Sequence, residues 1–260
     1  MVAGGTDAGK STFCTYLANR AIAEGVTPIM VDGDIGQSDL APPSVIGAAA
    51  LCHQTTDLRE IDATVFEFVG STSPHGLESF ISQRLASIVT RSCLRDLCIV
   101  NTDGYVDNGG VTYKKMIATA VQPGTIVFLG KNPILRDSLA LGPWEIIQAR
   151  ASSQAQKSHT VRIRRRQDQF SRFIGSGRLT VDPSRITFVY RGEEYSFPQL
   201  KLLTTLPLQH EQIGGMFVGL GSGGDIAGFG VVDSITKDTL AVITDIRHLD
   251  TIYLSDVRLA

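Results

Sequence analysis

Long hydrophobic runs are missing from these 260 residues: no apolar stretch approaches the roughly 18–20 residues a membrane-spanning helix needs. The opening MVAGGTDAGK has neither the basic start nor the apolar run of a secretory signal. Cysteine is scarce. Cys14, Cys52, Cys93 and Cys98 form no CxxC pair, so a zinc or disulfide framework is not expected. Four reduced, buried thiols in an intracellular compartment are expected instead. His53, His75, His159, His210 and His248 are scattered without metal-ligand spacing. An excess of one charge is lacking as well. With 24 basic and 26 acidic residues the formal charge is −2, and nothing global demands a polyanionic partner. What is present is 43% hydrophobic and 19% charged residue, enough for a real core, which excludes a disordered chain and a coiled-coil rod.

The first two-thirds of the chain alternates two textures. TPIMVDG, ATVFEFVG, DLCIVNTDG and GTIVFLG are short apolar runs ending in Gly or Asp, as buried parallel strands do. STFCTYLANRAIAEG, HGLESFISQRLASIVTRSC and VTYKKMIATAV carry helical spacing between them. In the second, Leu77, Phe80, Ile81, Leu85, Ile88 and Val89 share one face. The expectation is an α/β core with a parallel sheet and flanking helices. After about residue 175 the segments RLTVD, RITFVYRG, MFVGLG, IAGFGVVDSI, LAVITDI and TIYLSDVRL read as strands divided by turns, with no helix among them. Residues 1–176 are expected to form the first domain and 177–260 a small C-terminal β module.

Gly4-Gly5-Thr6-Asp7-Ala8-Gly9-Lys10-Ser11 matches GxxxxGK[ST], and Thr12 opens the following helix. Glycines let successive backbone N–H groups point at phosphate oxygens, and the helix N-terminus adds partial positive charge there. Lys10 can reach the β- and γ-phosphates, and the Ser11 hydroxyl can ligate Mg²⁺. Only Met1, Val2 and Ala3 precede the loop, so its feeding strand is unusually short or the chain lacks a preceding piece.

Asp32 and Asp34, in VDGDIGQ, end the second strand at the edge where parallel sheets bind ligands. Two acids there can hold Mg²⁺ and accept a proton, although Asp and Gly also make ordinary turns. Tyr105, in NTDGY, ends another strand and can stack on a base or simply pack at a rim. The hydroxyls of Ser71-Thr72-Ser73-Pro74 can bind phosphate, or the segment simply begins a helix. VRIRRRQDQFSRFIGSGR holds six arginines against one acid, with Arg162 and Arg166 on one face if helical. They can neutralise a transferring phosphoryl group, form a solvated face, or pair with acids such as Glu193 and Glu194. Trp144 reads as core.

In order, GGTDAGKST, VDGDIGQSD, STSP, NTDGY and RIRRR followed by QDQFSRF resemble the polynucleotide 5′-hydroxyl kinase family, which includes the RNA kinase subunit of the pre-mRNA cleavage factor and its archaeal relatives. IYLSDVRL is similar to that family's C-terminal domain, whereas its N-terminal β domain is not expected among these residues. The resemblance implies transfer of the γ-phosphate of ATP, with Mg²⁺, to the 5′-hydroxyl end of RNA, with DNA left open. Residues 4–12 would bind ATP, with Lys10 on its β- and γ-phosphates and Ser11 on Mg²⁺. Asp34 would act as base and metal residue and Asp32 as its support, where relatives can carry Glu. Gln37, Thr72, Ser73 and Tyr105 would hold the substrate end, Tyr105 standing where many relatives have Trp. Arg162 and Arg166 would belong to a lid spanning about 157–176. RNA-processing protein partners are implied, no membrane, and cytoplasm or nucleus according to whether the source is archaeal or eukaryotic. The competing expectations are an ATP-holding scaffold that does not turn over, and a switch ATPase with Gln37 positioning water.

Overall fold

The computed structural model describes residues 1–93, 97–107, 109–150, 158–200 and 213–259. Lys157, where the arginine-rich lid is expected to begin, and His210 lie outside the described residues.

The chain starts at the centre of its first sheet. Strand β1 (Val2–Gly4) leads through the phosphate loop into helix α1 (Lys10–Ala23) and then β2 (Ile29–Gly33). There follow β3 (Val45–Ala50), β4 (Val65–Phe68), α2 (Glu78–Ser92), β5 (Cys98–Thr102), α3 (Gly110–Val121), β6 (Thr125–Leu129), α4 (Pro133–Leu139) and β7 (Glu145–Ala149). The order across the sheet is β4-β3-β2-β5-β1-β6-β7, and β1 lies parallel between β5 and β6. All strands but β3 run one way, so the carboxyl ends of β1, β2, β4 and β5 meet at one edge.

Neighbouring residues of β2 point to opposite faces, yet both faces are buried. Met30 packs with Cys14 and Ala18 of α1, whereas Val31 packs with Ile81 and Leu85 of α2. In α2 the apolar stripe is as expected: Leu77, Ile81, Leu85 and Ile88 are buried, and Phe80 and Val89 are half-buried against the same cluster. Trp144 is core, its indole N–H donating to the Leu139 carbonyl at 2.7 Å.

Helix α5 (His159–Phe173) carries the arginines and is capped by the Ser158 side chain. The second sheet comprises β8 (Arg178–Val181), β9 (Thr187–Tyr190), β10 (Glu193–Tyr195), β11 (Met216–Ser222), β12 (Asp225–Ile235), β13 (Leu240–Ile243) and β14 (Thr251–Arg258). Its order is β10-β9-β14-β11-β12-β13-β8, antiparallel except where β14 meets β9. Gly223 and Gly224, both at positive φ, make the two-residue turn between β11 and β12.

An aromatic cluster joins the two sheets and seats α5 between them. Phe170 of α5 meets Phe217 edge-on at 4.9 Å, and Phe173 meets Phe229 at 5.8 Å. From β4, Phe66 packs on Phe229 at 5.2 Å and Phe68 stacks on Phe217 at 6.0 Å. Such ring pairs add to their burial energy.

Several expectations are corrected. The first sheet is parallel as expected but for one strand, β3, which returns antiparallel beside β2. Its sequence VIGAAA lacks the β-branched density of a strand, but Gly47 has the Ala41 side chain so close that an added Cβ would lie 2.9 Å from it. Packing against small neighbours decides that segment. A short helix, α6 (Phe197–Leu200), stands after residue 175. Cys93 and Cys98 are disulfide-bonded and Cys52 is exposed, so only Cys14 is a buried thiol. The end of α2 and the start of β5 lie close enough to bring those two cysteines together, which their spacing alone did not reveal. Among the described residues no helix is long and apolar enough to cross a membrane.

The seat of α5 is testable. Phe170→Ala removes a buried ring from the junction and should cost about 3–5 kcal/mol in a denaturant melt. A loss well under 1 kcal/mol would mean the helix is held by its polar contacts instead.

Candidate active site

The phosphate loop is built by its backbone. Gly9 holds the left-handed conformation at the cap of α1 (φ 82°), directing the first turn's N–H groups into the loop. Lys10 is buried, and its ammonium donates to the Gly5 carbonyl at 2.8 Å. Burial lowers its pKa, while Asp34 and Asp103 pull the other way.

Beside the loop, Asp32 is fully buried. Its carboxylate accepts from Ser38 Oγ at 3.1 Å, Asp39 N at 2.6 Å, Leu40 N at 3.4 Å, Asp34 N at 3.2 Å and Asn101 Nδ2 at 3.0 Å. Asn101 also reaches Ser11 Oγ at 3.4 Å, tying the phosphate loop to the acidic strand end. Burial raises the Asp32 pKa, with the Asp39 and Asp34 charges adding to it. Asp34 stands forward of it. One oxygen, Oδ1, accepts from Gly36 N at 3.1 Å and Gln37 N at 3.0 Å. Burial and the Asp103 charge raise the Asp34 pKa, opposed by Lys10.

Helix α5 closes over this edge. Arg162 pairs with Asp7 of the phosphate loop, Arg166 donates to the Gly36 carbonyl at 3.2 Å, and Arg165 pairs with Asp39 at 2.6 Å. Arg172 reaches the Ile61 carbonyl at 3.1 Å. The arginines therefore meet Asp7, Asp39, Asp62, Asp233 and backbone oxygens, and Glu193 instead accepts from Tyr195. Gln169, nearly fully buried, donates to the carbonyls of Ser38, Asp39 and Ala41 at 3.0–3.3 Å.

The elements enclose a cavity of about 460 Å³. Of the residues singled out by the sequence, Thr6, Asp7, Gly9, Lys10, Ser11, Thr12, Asp34, Gln37, Thr72, Tyr105, Arg162 and Arg166 line it. Gly4, Gly5 and Ala8 form the loop's backbone behind that wall. Asp32 does not reach the wall; it lies beneath and organises loop 34–40. Ser73 is exposed and turned away, its hydroxyl accepting from His75 N in the turn before α2. Tyr105 is half-buried, its ring 6.1 Å from that of Tyr113.

The sequence did not single out Asp103, which lines the cavity, or Asn101, Lys114 and Gln169, which support it. Lys114 left a signal. It falls on the inward stripe of α3 with Gly110, Ile117 and Ala118, where a charge is out of place.

A hydroxyl and a carboxylate beside a phosphate loop, faced by two guanidinium groups, suit phosphoryl transfer. Residues 4–176 match the family model of the mRNA cleavage and polyadenylation factor CLP1 P-loop. The chain belongs to this family. Among its relatives, the polyribonucleotide 5′-hydroxyl-kinase of Pyrococcus furiosus is 28% identical over 184 residues, covering 69% of this chain and 51% of that protein. The CLP1 homolog of Nematostella vectensis is 34% identical over 149 residues, covering 53% of this chain and 35% of that protein. The chain spans about half the length of the archaeal relatives it matches. A solved wild-type Clp1p–Pcf11p complex shares the fold, with a TM-score of 0.74 at 11% identity, covering 99% of this chain and 73% of that one. The CLP1-family P-loop, the α/β sheet and the appended β module thus agree in sequence and fold.

Asp32 makes the stability of this edge pH-dependent. Its folded-state pKa lies above the unfolded value of about 3.9, so its contribution is full below that value and is lost as pH rises through the raised one. Asp32→Asn removes this loss. In urea melts at roughly pH 5 and pH 8, the variant should gain on wild type at the higher pH. A difference that does not change with pH would count against the shift.

Proposed function

We propose that this chain is an ATP-dependent polynucleotide 5′-hydroxyl kinase acting on RNA ends. The observation that carries the reading is the single cavity onto which Lys10, Ser11, Asp34, Tyr105, Arg162 and Arg166 all face. The names of the archaeal relatives support the same activity. An RNA-processing protein partner is part of the proposal, supported by the likeness in fold to Clp1p in its complex with Pcf11p.

The donor set suits Mg²⁺: the Ser11 hydroxyl and the Asp34 carboxylate line one cavity and are the hard oxygens that ion takes. Asp34 engages its turn through Oδ1 alone among the described residues, which leaves Oδ2 for the metal or a proton. Bound Mg²⁺ supplies charge neutralisation between the phosphates. The loop's N–H groups and Lys10 hold the β- and γ-phosphates of ATP. Tyr105 stacks on the terminal base and Thr72 contacts the end. Arg162 and Arg166 leave Asp7 and the Gly36 carbonyl for the γ-phosphate. The 5′-oxygen attacks the γ-phosphorus in line as the bond to the bridging oxygen breaks, ADP departs, and the hydroxyl proton passes to Asp34. No covalent intermediate is needed; positioning and charge neutralisation do the chemistry.

Two substitutions test this with labelled γ-phosphate and matched 5′-hydroxyl RNA and DNA oligonucleotides. Lys10→Ala should lower transfer about 100-fold or more, and near-normal turnover would sink its role. Asp34→Asn should lower kcat by about 100-fold or more while ATP titration stays within a few-fold of wild type. If the unmutated chain binds ATP yet transfers nothing, the scaffold reading replaces this one.

A further inference from the structure

The floor of the site holds a charge pair that phosphoryl transfer does not itself require. Lys114 of α3 is wholly buried, with Nζ 2.7 Å from Asp103 Oδ1 and 4.7 Å from the centre of the Tyr113 ring. Lys114 does not line the cavity; Asp103 does. The same Asp103 oxygen accepts the backbone N–H of Tyr105 at 2.7 Å, closing an Asx turn immediately after β5. An ammonium placed in an apolar stripe is costly unless paired, and so is a carboxylate at the end of a buried strand. Each makes the other tolerable, and the shared oxygen passes the benefit to the loop.

That loop is pinned at two further points. The Gly104 carbonyl accepts from Thr6 Oγ1 of the phosphate loop at 3.4 Å, and a Cβ at Gly104 would lie 2.5 Å from that hydroxyl. At Gly110, where α3 begins, a Cβ would stand 2.6 Å from the Tyr105 carbonyl. The segment carrying Tyr105 is therefore clamped between the phosphate loop and the first turn of α3, with the ion pair holding its base.

We propose that Lys114 and Asp103 are positioning residues: the pair sets loop 104–107 against the phosphate loop, so that Tyr105 is presented at a fixed distance from Lys10. The inference rests on reading this cavity as a 5′-hydroxyl kinase site. Lys114 reaches the loop through Asp103, whose oxygen also holds the Tyr105 amide. Losing the pair frees that amide and lets the ring drift, which weakens capture of the polynucleotide end and leaves the ATP contacts alone.

The test is steady-state kinetics of the full chain with ATP and a 5′-hydroxyl RNA oligonucleotide, each variant's folding checked by thermal melting. Asp103→Ala/Lys114→Met removes both charges, so neither is left buried alone. Its KM for the oligonucleotide should rise about tenfold, the worth of one hydrogen bond to a charged group, while KM for ATP stays within about twofold. Asp103→Ser/Lys114→Met returns an uncharged acceptor to the Tyr105 amide and should bring the oligonucleotide KM back to within about threefold of wild type. A purely structural pair would not show that rescue. An unchanged oligonucleotide KM in the first variant, an equal rise for both substrates, or no rescue in the second would each overturn the proposal. Lys114→Gln keeps a donor to Asp103 without the charge and covers the case in which the double variants do not fold: its oligonucleotide KM should stay within about threefold of wild type, and a roughly tenfold rise shared equally with the KM for ATP would overturn the proposal. Failure of the unmutated chain to transfer phosphate would instead overturn the kinase reading, and this inference with it.

Discussion

A carboxylate buried with five donors around it is the constraint on which the candidate site depends. Asp32 lies beneath the acidic loop and collects N–H groups from Asp34, Asp39 and Leu40, the Ser38 hydroxyl and the Asn101 amide. A charge in that position is expensive, and satisfying it forces loop 34–40 into one path. Asp34 then stands at the cavity, and Asn101, held by the same carboxylate, orients Ser11. Asp32 thus never reaches the cavity wall, yet it places groups that do.

The seat of α5 follows from the same loop. Gln169 donates to three carbonyls of residues 38–41, and Arg165 pairs with Asp39, so α5 is seated on the segment that Asp32 shapes. On its other side Phe170 and Phe173 are held by rings from both sheets. Among the described residues the second sheet contributes none to the cavity wall, yet it helps fix the helix from which Arg162 and Arg166 project. The C-terminal half of α5 is thus anchored by rings, while Arg162 and Arg166 nearer its start meet Asp7 and the Gly36 carbonyl.

Much of this was legible in the sequence wherever the physics is local. The GxxxxGK[ST] pattern needs only neighbouring backbone conformations, and its residues stand where that pattern requires. Helix α2 declared its buried face through spacing alone, because the stripe that packs is the stripe that repeats. Strand β3 did not: VIGAAA has no strand signature, and it pairs because β2 offers an edge and Ala41 leaves room only for glycine beside it. The Cys93–Cys98 bridge was likewise hidden, since neither spacing nor composition states how closely α2 and β5 bring their ends together.

By itself, then, the sequence determined the phosphate loop and those strands and helices whose apolar pattern repeats, β2, β5 and α2 among them, because each depends on contacts within a few residues along the chain. Tertiary structure alone decided that Asp34 faces the cavity while Asp32 lies beneath, that Ser73 turns away, and that Lys114 is sunk under Tyr105 beside Asp103. Those outcomes depend on burial and on charges brought together from distant segments. The energy of an ionised group is set by what surrounds it in space.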